Sequence, residues 1–168
     1  MHLLMNDVQS AEQVMGNTLL QPTSIPYARY TIFVCLANIE LAMAKNEFEK
    51  ALLMADELLD EVSPLTRVDV PEVLHWKGHA LFGLGRFDEA LQILTQACSL
   101  AKQSGSNIHL WVILTDLAKV QLELGNQKEA EHSLAEGRKI AQQIAESLRE
   151  VGLNESFLNQ PRVKRLMR

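Results

Sequence analysis

The sequence predicts an all-α fold, an α-α superhelix of stacked antiparallel helical hairpins. Three observations predict it. A short signature recurs along the chain: Asn6, Asn46, Gly85 and Gly125 are each followed five positions later by Ala11, Ala51, Ala90 and Ala130, at successive spacings of 40, 39 and 40 residues. Such self-similarity marks a repeat architecture. Composition agrees, because aromatics are only 5% while Leu, Ala, Glu and Gln abound, a balance that favours helix over sheet. Finally, Pro22, Pro26, Pro64, Pro71 and the Ser104-Gly105-Ser106 stretch all fall between helix-length segments.

Each part of the signature has a physical reason. Gly and Asn enter the left-handed conformation most cheaply, which ends a helix abruptly. A polar residue then opens a second helix, with an apolar residue such as Val8, Phe48 or Phe87 packing back. The Ala is expected where the two helices cross, since a small side chain lets them approach.

The elements follow in order. Residues 1–20 form a half repeat, with Val8, Ala11, Val14, Met15 and Leu19 on one helix and only Leu3-Leu4-Met5 before it. Repeat one spans 26–62, with Tyr30, Val34, Ala37, Leu41 and Ala44 at helical steps before the turn and a second helix over 48–62. Repeat two spans 71–103; Leu74, Ala80, Leu81 and Leu84 mark its first helix, 87–103 is its second, and Pro71 suits a first-turn position. Repeat three spans 107–150, with Trp111, Leu114, Leu117, Ala118, Leu122 and Leu124 before the turn and a second helix over 127–150. Residues 154–168 form a C-terminal cap, with a short helix opening at Asn159-Gln160-Pro161 and running to Met167. The half repeat is expected to make the chain the C-terminal part of a longer protein. Its uncovered face is expected to self-associate weakly through the N-terminal helix.

Composition and charge exclude several classes. A net charge of −5 disfavours nucleic acid for the chain as a whole. Its one basic cluster, Arg162, Lys164, Arg165 and Arg168, reads as the solvated face of a last helix. Cys35 and Cys98 lie far apart with no CxxC spacing, so both are expected as buried, reduced thiols. No signal-peptide core follows Met1, and no run approaches the roughly 18 apolar residues of a membrane span. A cytoplasmic protein with no membrane contact is expected. No nucleophile motif, phosphate loop or dinucleotide fingerprint appears, so no enzyme activity and no cofactor are expected. Gly78, Gly83 and Gly85 form a loose glycine run with no preceding strand, which reads as close helix packing plus a cap. Trp76 and Trp111 are expected as anchors between hairpins.

The repeats resemble the tetratricopeptide family. Leu74, Gly78, Leu81, Gly85, Phe87, Ala90, Leu94 and Ala97 match its spaced positions in repeat two. Leu114, Leu117, Ala118, Gly125, Ala130 and Leu134 do so in repeat three, with Gly137 where Ala is usual and, in repeat one, Ile39 where a small residue is usual. The period exceeds the family's usual length of about 34 residues. Longer helices of this kind resemble the repeat domains of bacterial signalling ATPases of the maltose-activator type, and the tail from Glu155 to Val163 is similar to the ending of such proteins.

The resemblance implies a protein-binding scaffold whose first helices line a concave groove. Positions ten and six before each turn residue would face it: Leu36 and Glu40, His75 and His79, Thr115 and Lys119. One turn earlier and later they are joined by Phe33, Met43, Glu72, Phe82, Val112 and Leu122. Lys119 and His79 are expected to be exposed there, so that replacing them spares stability. The groove lacks the repeated basic and amide set that would clamp a terminal carboxylate. Glu72, His75 and His79 share one helix face, and two such imidazoles suit zinc. With no further ligand marked, the face reads as groove polarity and no metal is expected. The expected partner is a peptide, a protein or another domain of a parent signalling protein. The alternative is a small-molecule sensor, which an enclosed pocket lined by Phe33, Trp76 and Phe82 would favour.

Overall fold

A computed structural model of the chain describes residues 27–62 and 70–168. Among them are α1 (Tyr27–Ala44), α2 (Phe48–Val62), α3 (Val70–Gly83), α4 (Phe87–Ser104), α5 (Asn107–Glu123), α6 (Gln127–Ser147), α7 (Asn154–Leu158) and α8 (Pro161–Leu166). No strand occurs among the described residues. The fold is the expected array of helical repeats. The half repeat and the self-association expected through it lie outside the described residues.

One backbone device ends each first helix. Asn46, Gly85 and Gly125 have φ of 59°, 72° and 77°, the left-handed region expected of them. The amide after each reaches back over the turn: Glu47 N–H donates to the Ala42 carbonyl at 2.9 Å, Arg86 N–H to Leu81 at 2.9 Å, and Asn126 N–H to Gln121 at 2.8 Å. Turn-residue amides donate to Met43, Phe82 and Leu122, each at 3.0 Å. These paired bonds satisfy carbonyls that a helix end otherwise leaves bare. Gly105 closes α4 in the same way, with Ser106 N–H on the Ala101 carbonyl at 2.9 Å. The crossing alanines Ala51, Ala90 and Ala130 are fully buried.

The chain divides into two compact units, one ending at Arg86 and one beginning at Phe87. In the first, α2 packs against both α1 and α3. Its core takes Ile32, Leu36, Ile39 and Met43 from α1, Ala55 and Leu58 from α2, and Val73, Trp76 and Ala80 from α3. Ile39, where the family has a small residue, is fully enclosed in that core. Gly83 has the opposite role: a methyl there would stand 2.6 Å from the Phe48 ring, so the absent side chain is what lets α2 and α3 approach. Lys77 reaches Asp56 at 2.6 Å between the same two helices.

In the second unit α5 packs against α4 and α6, and α6 carries the two short terminal helices. Lys102 on α4 pairs with Glu136 on α6 at 2.7 Å. Ser133 Oγ donates to Gln121 Oε1 at 2.9 Å, which satisfies a buried hydroxyl. The cap has two helices rather than one. α8 opens at Pro161 as expected, with Gln160 extended before it, and α7 precedes it as an additional turn of helix. Phe157 of α7 meets Trp111 edge to face at 5.9 Å. Val163 and Leu166 of α8 are buried, and Arg138 Nε donates to the Leu166 carbonyl at 2.6 Å. Trp111 therefore anchors the cap, and the second helix of repeat three stops at Ser147, short of the expected 150.

Candidate interaction surface

The first helices differ from the second in charge. α1 carries only Arg29 and Glu40, whereas α2 carries Glu49, Lys50, Asp56, Glu57, Asp60 and Glu61. A helix apolar on most of its circumference is enclosed on several sides, and an amphipathic one turns a face to water. Any large apolar side chain left exposed on a first helix is therefore notable.

In the unit ending at Arg86, Phe33 on α1 is 59% exposed. Glu40 on α1 and Glu72, His79 and Phe82 on α3 are half-buried. Leu36 and Met43 are core residues, at 7% and 8% exposure, and His75 is 5% exposed. These three lie inside, not on an accessible face. The imidazoles of His75 and His79, one helical turn apart, have ring centroids 6.1 Å from each other. The Trp76 indole is stacked on His79 at 6.0 Å with the planes 11° apart.

In the unit beginning at Phe87, α5 presents Val112 and Thr115 half-buried, Lys119 exposed, and Leu122 52% exposed. Thr115 Oγ1 donates to the Trp111 carbonyl at 2.8 Å, which satisfies the hydroxyl within its own helix. Lys119 is not a free surface cation. Its ammonium lies 2.5 Å from a carboxylate oxygen of Asp116, which is buried. Replacing Lys119 would therefore take a cation from a buried carboxylate, which bears on the expectation that the change spares stability. Asp116 itself was not singled out from the sequence, although a carboxylate between Thr115 and Leu117 in so apolar a helix was a visible signal.

The thiols differ from expectation in one respect. Cys98 is buried, and desolvation, with Glu136 adding to it and Lys102 opposing, pushes its pKa up to about 11. Cys35 is only half-buried. The C-terminal basic cluster is solvated at Lys164, Arg165 and Arg168, with Arg162 half-buried. Arg165 Nε donates to the Pro161 carbonyl at 3.3 Å within α8. No helix among the described residues is long and apolar enough to cross a membrane.

Residues 69–143 match the family model of the tetratricopeptide repeat. The match covers repeat two and most of repeat three. Over those residues the chain is similar to that family, and the described helices form an all-α repeat fold of tetratricopeptide-like architecture, with Asn46 and Ala51 keeping the same register in repeat one. Tetratricopeptide repeats generally mediate contacts between proteins. No curated protein and no solved structure matches the chain.

Proposed function

We propose that the chain is a non-catalytic protein-interaction module that binds a peptide or protein domain through the accessible faces of its first helices. The contact residues are Phe33, Glu40, Glu72, His79 and Phe82 in one unit, and Val112, Thr115, Lys119 and Leu122 in the other. Leu36, Met43 and His75 support the face from beneath. The observation that carries this reading is the exposure of Phe33 and Leu122 at groove positions of helices that bury most of their other large apolar side chains, Ile108 in the first turn of α5 being exposed as well. Such residues become favourable contacts only when a partner covers them. Phe33 is open while Trp76 is in the core, which favours an open face over an enclosed pocket for a small molecule.

The finer reading is a regulatory segment of a larger cytoplasmic signalling protein, supported by the period of about 40 residues and by two thiols with no disulfide spacing. Phage-displayed peptides selected on the whole chain test the binding. Phe33→Ser and Leu122→Ser should each weaken the selected peptides by about tenfold, as loss of a buried apolar anchor does. Neither should move Tm by more than about 2 °C, because exposed positions contribute little to stability. Peptides that bind both variants as well as the parent would place the contact elsewhere.

A further inference from the structure

From the sequence alone, His75 and His79 read as ordinary polarity on an open groove. The structure removes that reading for His75, which is 5% exposed on a helix otherwise buried through Val73, Leu74, Trp76 and Ala80. We infer that His75 and His79 form a two-imidazole chelate for a divalent transition ion of the zinc class, with water completing the coordination.

The geometry is that of a preformed pair. The residues stand at i and i+4, the spacing that brings two side chains onto one helix face. Their ligand nitrogens lie within 4.8 Å of each other. Two nitrogens on a tetrahedral zinc, each about 2.0–2.1 Å from the ion, are about 3.3 Å apart. Closing the pair onto an ion thus needs a shift of about 1.5 Å or less, a matter of side-chain rotation and not of helix movement. The stacked Trp76 ring holds the plane of His79, so less orientational freedom is lost when an ion binds.

The charges of α3 do not oppose a cation at this face. Glu72, three residues before His75, lies on the same stripe of the helix. The one cation of α3, Lys77, is two positions from either histidine, on the opposite side, and is held by Asp56 of α2 at 2.6 Å. It therefore adds no repulsion where the ion would sit. Imidazole pairs suit zinc, copper and nickel, and the order of first-row affinities places copper(II) ahead of zinc.

Titration of the full chain with Zn2+ and with Co2+, by calorimetry and by the visible absorption of bound cobalt, tests the inference directly. One ion per chain is expected to bind saturably, and Zn2+ is expected to raise Tm as its concentration rises. His79→Gln should weaken binding at least about tenfold, no less than loss of a supporting partner at a metal site costs. His109→Gln and His132→Gln should leave it unchanged. Should the His79 variant fail to fold, nitrogen-detected NMR of the unaltered chain replaces it. Zn2+ is then expected to shift the ring signals of His75 and His79 and to spare those of His109 and His132. Absence of saturable binding below about 1 mM, a free energy weaker than about −4 kcal/mol, would overturn the inference. So would shifts confined to the other histidines, or full affinity in a folded His79→Gln.

Discussion

Met43 and Leu122 stand at the same place in their repeats, three residues before the turn residue, yet one is 8% exposed and the other 52%. Leu36 and Thr115, ten residues before the turn, differ in the same direction. On α1 these positions are filled by apolar side chains that join Ile32 and Ile39 in the core. On α5 one position carries a hydroxyl bonded to its own helix, and the other carries an apolar group left in water. A repeat period sets which positions are equivalent in the backbone. Whether a position is core or surface depends on what covers it, and the same row serves packing in one unit and presentation in the other.

The largest expected effect tests that contrast at a single register. Met43→Ala should cost about 2–4 kcal/mol by emptying an enclosed site. Leu122→Ala should stay within about 0.5 kcal/mol, as surface changes do. Urea denaturation followed by circular dichroism measures both. Equal costs would mean that the two positions are equally enclosed in solution and that Leu122 is no contact residue.

A smaller effect separates tight contacts from loose ones. Gly83→Ala drives a methyl into the Phe48 ring, and such overpacking costs about 1–3 kcal/mol. Phe48→Leu should recover part of that loss in the double variant, because the crowding atoms belong to the ring. Strictly additive losses in that double-mutant cycle would show that the ring is not the obstacle. Lys119→Glu belongs to the same range. It takes the cation from the buried Asp116 and places a second carboxylate three residues away, at a cost of about 1–2 kcal/mol. A melting temperature unchanged from that of the parent chain would return Lys119 to the simple surface role expected from sequence.

Much of the fold was legible in the sequence because its devices are local. A left-handed Asn or Gly, the alanine five residues on, and prolines kept out of helices are backbone requirements that leave their mark on residue type. What covers a face is not local. Leu36 and Met43 share the helical spacing of the accessible residues, and no pattern along the chain separates core apolar groups from exposed ones. The glycine run was readable as packing, but its partner Phe48 lies 35 residues away, and only the fold joins them. Of the groove residues, Glu40, His79 and Lys119 share one register, and the bond from Lys119 to Asp116 was missed. An i,i+3 pair becomes consequential only when one member is buried, and burial is a tertiary fact. The terminal helix at Pro161 was visible through its proline, whereas α7, five residues long, carries no comparable signal.

The smallest expected effect has the opposite sign. Leu58, Ala97 and Gly137 occupy one register, twelve residues after their turn residues, and all three are buried. The side chain shrinks along the series, and at Gly137 none remains. A methyl added there would lie 3.5 Å from the Trp111 carbonyl oxygen, 3.6 Å from Leu114 Cβ and 3.8 Å from Leu166 Cδ1, all ordinary contact distances. Unlike Gly83, this glycine is not required for close approach, and its φ is not in the left-handed region. Gly137→Ala should then gain about 0.8–1.0 kcal/mol of helix propensity. Burial of the methyl adds to this, and any crowding against the Trp111 carbonyl subtracts, so the net expectation is about 1 kcal/mol of stabilisation. Because the methyl also meets Leu166, the gain should appear as slower amide exchange in α8 as well as in α6. A destabilised variant would show that the cap sits closer to α6 in solution than these distances allow, and Gly137 would then join Gly83 as a contact that only glycine permits.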